Sequence, residues 1–262
     1  MHATQLTASA IYNRVPKVTV DFWLIKLMAV TVGETAADFL NANLGLGLSK
    51  TSLLMSGLLL AALMVQFAQK RYVPWIYWVI VVLVSIVGTL LTDNLVDHLG
   101  VSQEAASIGF AIALAATFAV WYLVERTLSI HTIYTTRREL FYWLAILLTF
   151  ALGTAAGDLA AEGLNLGYLH AGLMYGAVIA VIAFGYFGLK MNSILAFWLA
   201  YIVTRPMGAS FGDLLSQPIG NGGLGLGTVI TSAVFLTVIA SVIVYMTLSH
   251  EGEEAVPVKR RV

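Results

Sequence analysis

The sequence has no cysteine among its 262 residues, which excludes a disulfide framework and any thiolate site. Charge is scarce as well. Asp, Glu, Lys and Arg make up 11% of the chain, where a soluble domain carries about a quarter. The motifs of common catalysts are missing too: there is no Walker loop, no dinucleotide fingerprint, no HExxH and no Ser/His/Asp set on an elbow. Nothing supports nucleotide hydrolysis, a resident cofactor or nucleic-acid binding, and an enzyme is the least expected class. What is abundant is apolar: 59% of residues are hydrophobic. That excess has no aqueous surface to cover, and it points to an all-α integral membrane protein.

Eight apolar stretches are long enough to cross a ~30 Å hydrocarbon layer as helices. They fall at 19–42, 47–69, 74–97, 103–125, 139–162, 168–190, 193–215 and 224–248. Short connections predict antiparallel packing of adjacent helices. Residues 1–18 lack a run of signal-peptide length and read as a polar cytoplasmic tail. The first half is 19–130, the second 131–248, and 249–262 is a charged, disordered tail. Arg14, Lys17, Lys70, Arg71, Arg126, Arg137, Arg138, Lys190, Lys259, Arg260 and Arg261 all fall on one side of this topology. Only Lys50 falls on the other. The positive-inside rule therefore puts both termini in the cytoplasm of a bacterium, with the chain in its inner membrane.

The chain is organised by a repeated W-x9-G-x4-D string. Its copies are Trp23, Gly33, Asp38; Trp78, Gly88, Asp93; Trp143, Gly153, Asp158; and Trp198, Gly208, Asp213. The aspartates are 55, 65 and 55 residues apart, so hairpins pair into halves that are themselves duplicated. An even number of crossings per copy gives every copy the same orientation. The architecture expected is four parallel-related helical hairpins with equivalent odd-numbered helices.

Each tryptophan sits near the cytoplasmic start of its helix and reads first as an interfacial anchor. Each glycine falls about 15 Å further on and reads as a helix-packing position, the crossing point of a tight inner ring. Each aspartate lies about 7 Å beyond the glycine, toward a helix C-terminus whose dipole is already negative. A carboxylate there needs a cation or a proton. Glu34, Asp97 and Glu162 lie four residues from Asp38, Asp93 and Asp158 and add second carboxylates; the fourth copy has the neutral Gln217 instead. Thr35, Asn41, Thr89, Asn94, Thr154, Asn165 and Ser210 complete an all-oxygen environment, with His98 and His170 the nearby nitrogen donors. Such ligands suit Mn²⁺, Mg²⁺ or Ca²⁺. A proton relay and a purely structural polar layer are the other readings.

Two cations break the symmetry. Lys26 reads as snorkelling to the cytoplasmic interface. Arg205 lies inside the seventh helix beside Pro206, where its equivalents are Val30, Ser85 and Phe150. It needs a carboxylate, and Glu34 is the expected partner, forming a gate or a static bridge. The glycine-rich loop 216–227 reads as an outer lid or an ordinary turn.

The four tryptophan-bearing units and the phrases RRELFYW, FALGTAAGDLAA and AFWLAYIVTRPMGASFGD resemble the bacterial "membrane-anchored" proteins built from four repeats of a domain of unknown function (number 347). The resemblance covers residues 17–248. It implies the eight-helix topology and leaves room for manganese export, and no functional residue is carried over from it.

The function expected is a secondary transporter or exporter of a divalent metal cation, Mn²⁺ first, coupled to protons. Asp38, Asp93, Asp158 and Asp213 form the metal-binding core, joined by Glu34, Asp97 and Glu162. A bound cation is substrate and not a cofactor, and the partners are the lipid bilayer and that small cation or solute. The alternatives are a proton-coupled carrier of a small organic solute, with Tyr168, Tyr175, Tyr201 and Phe211 shaping its pocket, and a non-transporting scaffold or sensor.

Overall fold

A computed structural model describes residues 11–249 and 255–256. It is helical apart from one antiparallel pairing of two-residue strands, β1 (Ile11–Tyr12) with β2 (Ala255–Val256). The long helices are α1 (Val20–Asp38), α2 (Leu48–Phe67), α3 (Pro74–Asp93), α4 (Gln103–Glu125), α5 (Thr136–Asp158), α6 (Gly167–Phe187), α7 (Ser193–Ser216) and α8 (Thr228–Ser249). Among the described residues seven of them, all but α1, are long and apolar enough to cross a membrane. The sequence of α1 contains Asp21, Lys26, Glu34 and Asp38, four charged residues in nineteen. Local chemistry sets the starts. The side chains of Thr19, Ser102, Thr135 and Asn192 cap α1, α4, α5 and α7, and Pro74 opens α3, where its missing N–H costs nothing.

The odd-numbered helices form an inner ring in the order α1, α3, α5, α7 and back to α1. In α3, α5 and α7, 72, 61 and 50% of the apolar window is buried, against 22, 11, 17 and 17% in α2, α4, α6 and α8. The even-numbered helices are therefore an outer layer with apolar faces turned outward.

Glycine closes the ring. A Cβ at Gly33 would collide with Ser85, at Gly88 with Phe150 (2.7 Å), at Gly153 with Arg205 and at Gly208 with Val30 (2.5 Å). Each motif glycine thus receives the residue three before the glycine of the next copy, and the fourth copy closes onto the first. Hydroxyls support the close approach: Thr31 donates to the Gly208 carbonyl at 3.1 Å and Thr92 to that of Ala151 at 2.9 Å.

The outer layer differs from the hairpins expected. The main partner of each outer helix is the inner helix that follows it: α2 on α3, α4 on α5, α6 on α7, and α8 on α1. The reason lies in how the inner helices end. After Asp38, Asp93 and Asp158, the backbone widens into a π-helical turn at Phe39–Asn43, Asn94–His98 and Leu159–Gly163. Glycines of positive φ then follow, at Gly45 and Gly47, Gly100, and Gly167. These segments hand the chain sideways before it returns.

The fourth copy has no π turn. There the glycine-rich loop folds back, and the N–H groups of Leu224, Gly225, Leu226 and Gly227 bind the carbonyls of Leu214, Gln217, Leu215 and Ser216 at 2.6–3.2 Å. It satisfies the last carbonyls of α7, so it is a capping turn.

The amino-terminal tail expected over 1–18 is not loose where it is described. Asn13 is buried. Its side chain donates to the Ile130 carbonyl (2.8 Å) and accepts from the Ile133 N–H (2.9 Å). Arg14 reaches the buried Glu139 at 2.7 Å, and Gln66 donates to the same carboxylate at 2.7 Å. Arg138 (2.7 Å) and Arg137 both pair with Glu125, so these two arginines also tie α4 to α5. Most of the carboxy-terminal tail, 250–254 and 257–262, lies outside the described residues.

Candidate functional site

Along the ring axis the side chains form layers, and the two ends differ. At the tryptophan end, Trp78, Trp143 and Trp198 are buried, and Trp23 is half-buried against Phe22, Phe197 and Tyr201. Trp78 donates to the Tyr72 hydroxyl (3.1 Å) and Trp198 to the Leu128 carbonyl (3.0 Å), while the Tyr77 and Tyr142 hydroxyls meet at 2.6 Å. The reading of these tryptophans as interface anchors is corrected for three of them: their indoles turn into the bundle and pack against Tyr77, Tyr142 and Tyr201, while neighbours such as Leu24, Trp75, Leu144 and Leu195 take the outward faces of the inner helices. The inward-turned rings form an aromatic plug.

Lys26 also departs from expectation. It is fully buried rather than snorkelling. Its ammonium donates to the Tyr201 carbonyl (2.8 Å) and to the Thr204 hydroxyl and lies 4.3 Å from the centre of the Tyr201 ring. Being on an inner helix, it faces α7.

One layer on, Arg205 is fully buried and reaches Glu34 as expected. Both terminal nitrogens donate to Glu34 Oε2, each at 2.9 Å. Nη2 also donates to Thr89 Oγ1 (2.6 Å) and Thr154 Oγ1 (2.8 Å). A buried charge is costly unless it is paired and hydrogen-bonded in this way.

Beyond this layer the axis opens into a cavity of about 180 Å³. Its wall contains Glu34, Asp38, Asp93, Asp97, Asp158, Glu162 and Asp213, with Asn41, Thr92, Val96, Gln103 and Gln217 between them. The seven carboxylates singled out in the sequence therefore line one space, and the four aspartates do not divide into two half-sites. Exposure grades along it. Glu34 and Asp213 are buried, Asp38, Asp93 and Asp158 half-buried, and Asp97 and Glu162 exposed. Gln217, neutral where the other copies carry acid, donates to Asp38 Oδ2 at 3.4 Å. Among the described residues, no three His, Asp or Glu side chains close together tightly enough to hold a metal ion.

The chain is matched four times by the sequence profile described as Repeat of Unknown Function (DUF347), over residues 22–72, 76–127, 141–191 and 196–251. The chain belongs to this family. No curated protein and no solved structure matches it. Each DUF347 repeat is one inner helix with the outer helix that follows, so repeats interlock: the outer helix of each lies against the inner helix of the next.

Other residues named from the sequence scatter. Neither His98 nor His170 lines the cavity; His170 Nδ1 sits 3.1 Å from its own helix's Leu166 carbonyl. Tyr168 donates to Glu162 at 3.1 Å and Tyr175 to the Ala156 carbonyl at 2.7 Å. Tyr201 belongs to the plug, and the Phe211 ring packs against Gly172. These four aromatic residues do not form one pocket. Sequence reasoning missed Thr92, adjacent to Asp93, and Gln103, the first residue of an outer helix. Thr92 could have been found by extending the motif one residue; nothing in the sequence marked Gln103.

Proposed function

We propose that the chain is a multi-pass secondary transporter of a divalent cation, Mn²⁺ first, in the bacterial inner membrane, with both termini cytoplasmic and transport coupled to protons. The observation that carries this reading is the convergence of seven carboxylates from all four repeats on one cavity. A solely structural polar layer needs no such cavity. Intramembrane carboxylates are costly and mark ion or proton pathways. Their oxygens, with Asn41, Thr92 and Gln103, are the donors that hard cations take.

The carboxylates ring a space with room for several waters and form no tight cage. The occupant is therefore an ion that keeps part of its water shell, as small divalent cations do. Exposed Asp97 and Glu162 form the mouth and attract the cation; buried Glu34 and Asp213 lie deepest. An entering cation takes over carboxylates that otherwise share protons, and the released protons provide the coupling. The positive-inside pattern of Lys and Arg supports an orientation with the mouth on the outer face and the aromatic plug on the cytoplasmic side.

Flux of Mn²⁺ into proteoliposomes, read by quenching of a trapped dye, tests the proposal. Wild type should transport, and Asp158→Asn should fall to the background of empty liposomes while melting at or above the wild-type temperature. Wild-type flux in Asp158→Asn would sink the reading. Loss of stability in that variant, with no flux from either protein, would support a scaffold.

A further inference from the structure

The layer just beyond the motif glycines is occupied by Glu34, Thr89, Thr154 and Ala209, one from each inner helix. Three of the four present oxygen, and all three oxygens bind the same nitrogen, Arg205 Nη2, at 2.6–2.9 Å. The fourth helix presents the methyl of Ala209 and instead supplies the arginine, from one turn earlier. The guanidinium thus stands between all four inner helices.

We propose that Glu34, Thr89 and Thr154 form a cation cradle at the floor of the carboxylate cavity, and that Arg205 is a tethered cation seated in it, closing the path beneath that cavity. The cradle stands on the geometry alone; its role as a gate rests on the cation-transport reading. A small monovalent cation with several N–H donors, guanidinium itself, is the free ligand that it fits.

Four features suit a seat that empties. Glu34 belongs to both places, lining the cavity and holding Arg205, so a cation that reaches the floor competes for the same carboxylate. Arg205 Nε is buried without a hydrogen-bond partner, so the seated side chain is not fully satisfied. Gly153 leaves the room through which the arginine stem passes. Pro206, inside α7, removes the N–H that the Ile202 carbonyl would otherwise receive, which weakens the helix beside the arginine. Behind the seat lies a second basic side chain: the Arg205 guanidinium carbon and Lys26 Nζ lie 5.3 and 5.7 Å from the centre of the same Phe150 ring. A cation passing Glu34 meets the guanidinium of Arg205, so the seated state blocks it.

The test is chemical rescue. Arg205→Ser places at this position the residue type of its second-repeat equivalent, Ser85. The purified variant should melt below wild type. Millimolar guanidinium chloride should raise its melting temperature more than sodium chloride of equal ionic strength does, and should leave wild type and the double variant Arg205→Ser/Glu34→Gln unmoved. In liposomes Arg205→Ser, which removes all four of the guanidinium's hydrogen bonds, should pass Mn²⁺ down its gradient at least about tenfold faster than wild type, the scale that even one lost charge-assisted hydrogen bond would give, and guanidinium should slow it again.

Should Arg205→Ser not fold, Thr154→Val keeps the arginine and removes one acceptor, and it should leak faster than wild type; an unchanged leak overturns the gate. Equal responses of Arg205→Ser to guanidinium and sodium overturn the cradle even where wild type transports Mn²⁺. Rescue by guanidinium with no Mn²⁺ flux from any variant keeps the cradle and removes the transport reading.

Discussion

The two ends of the inner ring use the same four helices for opposite purposes. At the tryptophan end, large rings fill the axis and their polar atoms are mostly satisfied: Trp78 by Tyr72, Trp198 by the Leu128 carbonyl, Tyr77 by Tyr142. At the aspartate end the same helices present seven carboxylates around open space. One end is built for packing, and the other gathers like charges at a cost to stability. That cost is the usual mark of a site kept for function. Arg205 and Glu34 mark the boundary, where the last acid of the cavity meets the first cation of the closed end.

The comparison predicts effects of opposite sign. The largest is at the closed end. Trp78→Ala removes a fully buried indole and should destabilise the protein by about 3–5 kcal/mol, read as a fall in melting temperature in detergent. A change near zero would mean that the plug is not a packed core. The smaller effect is at the open end. Asp93→Asn removes one of several neighbouring negative charges and should stabilise by on the order of 1 kcal/mol, while weakening any response to added Mn²⁺. Destabilisation there would remove the contrast, and would indicate that the acids hold the fold together.

Much of this arrangement was legible in the sequence because the repeat is strict in the inner helices. The spacing of Gly33, Gly88, Gly153 and Gly208 predicted close crossings, and each glycine does meet the next inner helix. Arg205 required a carboxylate, and few were available at its depth; Glu34 is its partner. What could not be read was direction around the axis. Trp78 could face lipid or the bundle with the same spacing, and only the ring's closure turns it inward. Lys26 has a stem long enough to snorkel, but its position on the α7 side of α1 buries it. The π-helical turns have no sequence signature of their own. They carry the chain from inner to outer helix in the first three copies and the glycine-rich loop does so in the fourth, and the hairpin expected from short loops gave way to interlocked repeats.

The central claim is that the carboxylate cavity takes a divalent cation, and the most direct measurement is a thermal-shift titration of purified wild type and Asp158→Asn with Mn²⁺. Bound cation should offset the repulsion among the acids, so wild type should gain stability with Mn²⁺ as a ligand that binds only the folded state requires, and Asp158→Asn should gain much less. Equal shifts in the two proteins, or no shift in wild type, would contradict it.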